Sequence, residues 1–83
     1  MVTKDTTLNE LFEAACLSAD AIVQSGETFM VKDLFRGVEW SRIPKGFRTK
    51  LGGMFFAYVS GEASKSFEPV GKTPQNQQIY KKK

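Results

Sequence analysis

Two basic residues, Lys45 and Arg48, are followed by Thr49, which carries a hydroxyl, and by Gly52, which has no side chain. The intervals between these four residues include three and four positions. On a helix this spacing places them on one face, because residues three and four apart are neighbours on a helical surface. Ammonium and guanidinium groups bind anions through charge and hydrogen bonds. A glycine in the same face lets another molecule approach the backbone closely. The chemistry that this face predicts is therefore non-covalent binding of an anionic partner.

Other candidate contact residues lie nearby in the sequence. Arg42 precedes this face and Lys50 flanks it, and both are point charges suited to phosphate groups. Arg48 is the candidate for a bidentate contact with guanine, and Thr49 can bond a phosphate oxygen or touch a thymine methyl. A second polar cluster near the C-terminus consists of Lys72, Thr73, Gln75, Asn76 and Gln77.

The distribution of charge also indicates an anionic partner. The formal net charge is +3, but residues 1–39 hold three basic and seven acidic side chains, whereas residues 40–83 hold nine basic and two acidic ones. The two parts therefore carry −4 and +7. Such asymmetry favours nucleic acid as a partner of the basic part. A solvated surface with a loose lysine tail would have the same composition and stays an alternative.

Catalysis is not expected from this composition. The chain has no histidine and a single cysteine, Cys16, so it lacks Ser-His or Cys-His pairs and the usual zinc-ligand spacing. We expect no enzymatic activity, no metal and no cofactor, and we expect Cys16 to be a small buried filler. No apolar run approaches the roughly 20 residues of a membrane span, which favours a cytoplasmic protein without membrane contact.

Helical and extended segments alternate in the first half of the chain. Thr7 and Glu10 have the spacing of a capping box, and an apolar stripe predicts a helix over 7–25. The β-prone run 28–31 predicts a strand, and 32–36 a short helix that ends before Gly37. We expect Trp40 in the core.

The second half begins with the segment that carries the basic face. Pro44 suits the first turn of a helix, and the apolar stripe that follows predicts a helix over 44–60. Gly52 is expected on its basic side and Gly53 against the preceding short helix. Packing roles for both glycines stay open as an alternative.

Two strands around a polar turn predict a β-hairpin over 67–82. Val70 is expected to hold its base to the core, whereas the alternation leaves open whether Ile79 or Tyr80 points inward. The three C-terminal lysines are expected to be frayed.

The order helix, short strand, two helices and β-hairpin gives an α+β fold that resembles a winged helix-turn-helix domain. The stretches that carry the resemblance are FMVKDLF, the single W, IPKGFRTKLGGMFFAYV and VGKTPQNQQIYKK. The chain is also similar to a family of short uncharacterised proteins of Gram-positive bacteria and their phages and plasmids. The resemblance implies a single winged-helix domain over 1–83 that binds double-stranded DNA, with 44–60 as recognition helix in the major groove and 67–82 as wing.

The resemblance further implies a regulatory or accessory protein of a mobile element or bacterial host, with transcription control, plasmid transfer and phage regulation all open. Monomer and homodimer are both open. The alternative is a non-enzymatic protein–protein adaptor or inhibitor built on the same fold, with Phe56 as an anchor and the acidic first helix as a docking surface. RNA binding is a third possibility, although the basic face has few exposed aromatic residues for base stacking.

Overall fold

The computed structural model describes residues 5–83. Three α-helices, one short 3-10 helix and a three-stranded antiparallel sheet form an α+β fold, which confirms the predicted class. In chain order the elements are α1 (Leu8–Ile22), β1 (Thr28–Phe29), the 3-10 helix (Val31–Leu34), α2 (Gly37–Arg42), α3 (Lys45–Ser60), β2 (Phe67–Lys72) and β3 (Gln78–Lys82).

Helix α1 begins at the predicted capping box. The Glu10 N–H donates to the Thr7 hydroxyl, and the Thr7 N–H donates to the Glu10 carboxylate. The helix ends at Ile22, three residues before the predicted end at 25, because Val23 is extended (φ −77°, ψ 131°). The Lys82 ammonium donates to the Val23 carbonyl at 2.8 Å, so a residue at the far end of the chain helps to end α1.

The segment from 28 to 42 differs from its prediction. The strand stops at Phe29, and the predicted helix 32–36 is a 3-10 helix over Val31–Leu34. The Met30 N–H donates to the Asp33 carboxylate at 2.9 Å, which fixes this tight turn. Gly37 does not end a helix but begins α2, which the sequence prediction missed.

Strand β3 lies between β1 and β2, so the sheet order is β1-β3-β2. The register between β2 and β3 shifts between Pro69 and Gly71, which leaves Val70 outside the pairing and 46% exposed. The expectation that Val70 packs into the core is therefore wrong. The bulge changes the side to which it points.

The core lies between α1, α3 and the sheet. Tyr80, Phe55 and Phe67 are its largest fully buried side chains, and the Phe55 and Tyr80 rings meet edge to face with centroids 5.1 Å apart. Tyr80, rather than the half-buried Ile79, points inward.

The C-terminal lysines are ordered, contrary to the expectation that they fray. Lys82 pairs in β3, and its backbone N–H donates to the Glu27 carbonyl. The Lys83 backbone N–H donates to Ser66, and its ammonium to the Ser64 carbonyl at 2.7 Å. Within residues 5–83, no helix has the length and apolarity that a membrane crossing requires.

Candidate functional site

A cleft of about 700 Å³ opens between one side of α3 and the β2–β3 hairpin. The 3-10 helix and α2 contribute to its third side. Its lining residues are Met30, Val31, Lys32, Trp40, Lys45, Arg48, Thr49, Gly52, Phe56, Lys72, Gln75, Asn76, Gln77, Gln78 and Tyr80.

The cleft brings most of the predicted contact residues together. Those that line it are Lys45, Arg48, Thr49, Gly52, Lys72, Gln75, Asn76 and Gln77. Arg42 and Lys50 are exposed but lie outside its lining, and so does the half-buried Thr73. The two polar clusters, twenty positions apart in the sequence (Gly52 to Lys72), therefore form two walls of one concave surface.

The charge of this surface has one sign. Among the lining residues, all within the described part of the chain, the ionisable side chains of Lys32, Lys45, Arg48 and Lys72 are basic, and no Asp or Glu is present. Charges of one sign in a concave site reinforce one another, because the low-dielectric walls focus the field. The cleft is thus built to attract an anion.

Arg48 is held in place before any ligand arrives. Its guanidinium carbon lies 5.5 Å from the centroid of the Trp40 ring, within cation–π range. Its Nη2 makes a long hydrogen bond of 3.4 Å to the Ser41 carbonyl, and its Nε is buried with no hydrogen-bond partner in residues 5–83. Trp40 is therefore half-buried at the cleft, packing on Phe35 and under Arg48, rather than wholly in the core.

The two adjacent glycines of α3 have different surroundings. Gly52 is half-buried and lines the cleft, whereas Gly53 is exposed on the outer side of the helix. A Cβ built at either would meet no atom within 4 Å. The expected close contact between Gly53 and the preceding short helix is therefore absent, and neither glycine is required by packing.

The hairpin tip is shaped by its own hydrogen bonds. The Thr73 N–H donates to the Gln77 carbonyl at 2.9 Å, and the Gln77 N–H donates to the Thr73 hydroxyl at 3.1 Å. Asn76 has a φ of 67°, in the left-handed region that asparagine tolerates well. Thr73 thus supports the turn, while Gln75, Asn76 and Gln77 line the cleft.

Tyr80 contributes an unusual polar atom. The residue is fully buried, its hydroxyl has no hydrogen-bond partner in the described chain, and burial raises the pKa of the phenol to about 12. The hydroxyl is neutral at physiological pH.

Sequence reasoning missed Lys32, Met30 and Gln78 as parts of the cleft. No local signal distinguishes them, because Lys32 reaches the cleft through the position of the 3-10 helix, which packs on α1. Residues 5–83 contain no group of three or more His, Cys, Asp or Glu side chains that could hold a metal ion.

Comparison with known proteins identifies the family. No curated protein and no solved structure gives a significant match to the chain. One family model, described as a domain of unknown function (DUF1413), matches residues 13–82, which include every element from the middle of α1 to the end of β3. The chain therefore belongs to the DUF1413 family.

Proposed function

We propose that this protein binds double-stranded DNA through the cleft, with α3 entering the major groove and the β2–β3 hairpin acting as a wing. The observation that carries the proposal is the charge of the cleft, whose charged lining residues are all basic within the described chain. Phosphate contacts supply a large share of the affinity of most DNA-binding proteins.

The arrangement of elements supports the same proposal. A winged helix consists of helices, a short early strand and a C-terminal hairpin. The second strand of the hairpin pairs on one side with the first strand of the hairpin and on the other side with the early strand. The order α1, β1, α2, α3, β2, β3 with sheet order β1-β3-β2 is compatible with that arrangement. In that fold the recognition helix and the wing contact DNA from the same side.

The side chains divide by chemistry. Lys32, Lys45 and Lys72 are point charges that would neutralise phosphates and position the protein without reading sequence. The guanidinium of Arg48 is suited to a bidentate contact with guanine or with a phosphate, and its contact with Trp40 lowers the entropy lost when it binds. The protein would then serve as a regulatory or accessory DNA-binding protein.

The direct test compares alanine variants of two lysines by fluorescence anisotropy with a labelled duplex. Lys72 lines the cleft, whereas Lys65 is exposed in the connection between α3 and β2 and is absent from its lining. We expect Lys72→Ala to weaken binding to any duplex and to lower the slope of log K against log salt by about one. We expect Lys65→Ala to bind as the parent does. Equal behaviour of the two variants would contradict the proposal.

A second candidate is a protein–protein adaptor, favoured by the exposed apolar residues of α1. Leu17 is 70% and Ile22 is 66% exposed, and the same helix carries the acidic residues Glu13 and Asp20. The α1 surface does not contribute to the cleft, whereas the predicted anchor Phe56 lines it. The adaptor hypothesis therefore predicts that Leu17→Glu or Phe56→Ala weakens the binding of a protein partner, while Lys72→Ala has no effect.

A further inference from the structure

The cleft has more volume than phosphate contacts require. Its volume of about 700 Å³ lies within the roughly 300–1,000 Å³ of sites that enclose a ligand. Lysines that only contact the phosphates of a DNA strand need no concave surface, since exposed side chains on a flat surface can make those contacts. A second part of the bound DNA could therefore enter the cleft.

The lining of α3 changes character along the helix axis. Lys45 and Arg48 lie at its N-terminal end, Gly52 follows one turn later, and Phe56 one turn beyond that. Eight residues separate Arg48 from Phe56, which corresponds to about 12 Å at 1.5 Å per residue. A nucleotide has the same order of groups, an anionic phosphate, an uncharged sugar and an aromatic base, over a comparable length.

Gly52 leaves the middle of this path open. It is half-buried in the cleft wall, and a Cβ there would meet no atom within 4 Å. A glycine in a helix interior costs about 1 kcal/mol relative to alanine, and the packing of this helix does not explain that cost. Space for a ligand above the backbone does explain it.

Phe56 offers a ring face at the far end. Its side chain is 44% exposed, and it makes no ring contact with another aromatic side chain in residues 5–83. Trp40, by contrast, is covered by Arg48. Opposite α3, the side-chain amides of Gln75 and Gln77 can both donate and accept hydrogen bonds, as a base edge requires.

From these observations we infer that the cleft holds one unpaired nucleotide of the bound DNA, with its base stacked on Phe56 and its phosphate at Lys45 and Arg48. This inference rests on the proposed function, because it specifies the form of DNA bound by the same cleft. The nucleotide must be unpaired, since bases within a duplex are stacked on their neighbours and expose no face. Extruding a base costs least where it already lacks a partner. The protein would thus prefer DNA with a bulge, a mismatch or a single-stranded junction.

The test uses three labelled DNAs of one sequence: an intact duplex, a duplex with one unpaired thymidine, and the same duplex with an abasic residue in place of that thymidine. We expect the thymidine bulge to bind about 5- to 100-fold more tightly than the intact duplex, the range that stacking of one base on an aromatic ring supplies. We expect the abasic bulge to bind like the intact duplex, because it has no base that could stack on Phe56. It bends the DNA as the thymidine bulge does, so it controls for an effect of bending alone.

Variants separate a role of the Phe56 ring from other causes. Phe56→Ala should reduce the preference for the thymidine bulge to about one, with its fold checked by circular dichroism. Leu17→Ala is the control, because Leu17 is an exposed apolar residue (70%) of α1, outside both the cleft lining and the hairpin. It should keep the full preference.

The outcomes distinguish the two proposals. Equal affinity for all three DNAs, or a preference that the abasic bulge or Phe56→Ala shares, overturns the nucleotide inference and leaves duplex binding intact. Absence of binding to every DNA at low salt overturns the proposed function itself.

Discussion

Replacing Gly52 by glutamate puts bulk and negative charge into the cleft without disturbing the fold. A Cβ at this position would meet no atom within 4 Å, so the new side chain has room. Glutamate is a better helix former than glycine, and we expect the free energy of unfolding to rise by about 0.5–1 kcal/mol. Stability and binding should therefore change in opposite directions.

The effect on binding follows from charge. The new carboxylate would lie among Lys45, Arg48 and Lys72, where a phosphate is proposed to bind. Like charges brought together at an interface cost several kcal/mol, and about 3 kcal/mol corresponds to a loss of affinity on the order of 100-fold. Anisotropy with a labelled duplex measures this loss, and thermal unfolding measures the gain in stability.

Two control variants make the result specific. Leu17→Glu lowers the formal net charge of +3 by the same single unit, at a residue of α1 that is 70% exposed and lies away from the cleft. It should weaken DNA binding at most a few-fold, through the change in net charge alone. Gly53→Glu places the carboxylate on the outer, exposed side of α3, so its effect relative to Gly52→Glu reports which side of the helix faces DNA. A Gly52→Glu protein that is folded and binds duplex DNA like the parent would refute the reasoning.

Three further predictions concern stability and reactivity. Tyr80→Phe removes a buried hydroxyl that has no partner, and it should raise the free energy of unfolding in urea titration by about 1 kcal/mol. Because the pKa of Tyr80 in the folded protein, about 12, lies above the usual 10, the parent should lose stability as pH rises from 10 towards 12. The variant, which lacks the phenol, should lose less stability over the same pH range. Thr7→Ala should cost about 1 kcal/mol of stability through the lost cap. Hydrogen bonds from the backbone N–H and then the hydroxyl of Thr7 lower the pKa of Glu10, so the contribution of Glu10 is present at neutral pH and is lost as pH falls through that lowered pKa. Because alanine keeps the backbone N–H, the acid titration of the variant should show this contribution reduced but not abolished. Burial, and to a lesser extent the charge of Asp20, raises the pKa of the Cys16 thiol. Alkylation of Cys16 at pH 8 should therefore be slower in the folded protein than in the urea-unfolded chain. Equal rates would contradict this prediction.

Local periodicity and capping chemistry were sufficient for the long elements. The Thr7–Glu10 box and the stripe of Leu51, Phe55 and Val59 depend on residues a few positions apart, and the structure has α1 and α3 where these patterns predict them. The turn formers around Asn76 likewise predict the hairpin, because the left-handed residue they require lies within the loop itself.

Tertiary packing decided the features that sequence reasoning missed. Glycine is typical of a position just after a helix, so Gly37 predicts a helix end. In the structure it begins α2, after Phe35 and Arg36 adopt extended conformations that no local sequence pattern encodes. The end of α1 depends on Lys82, sixty positions later, whose ammonium donates to the Asp20 and Val23 carbonyls. Contacts of this separation are invisible to periodicity.

The candidate site was partly predictable for the same reason. The basic face of α3 follows from helical spacing, and the hairpin tip from its polar composition. That the two meet in one cleft, that Lys32 joins them, and that Arg48 lies on Trp40 all depend on how the elements pack.

The salt dependence of DNA binding tests the central claim most directly. Four basic residues line the cleft, Lys32, Lys45, Arg48 and Lys72, and two more are exposed outside it, Arg42 at the end of α2 and Lys50 in α3. If four to six of these side chains each neutralise one phosphate, log K for a random duplex should fall against log salt with a slope of about −3.5 to −5.5. A flat response between low and moderate salt, or no binding at low salt, would contradict the account.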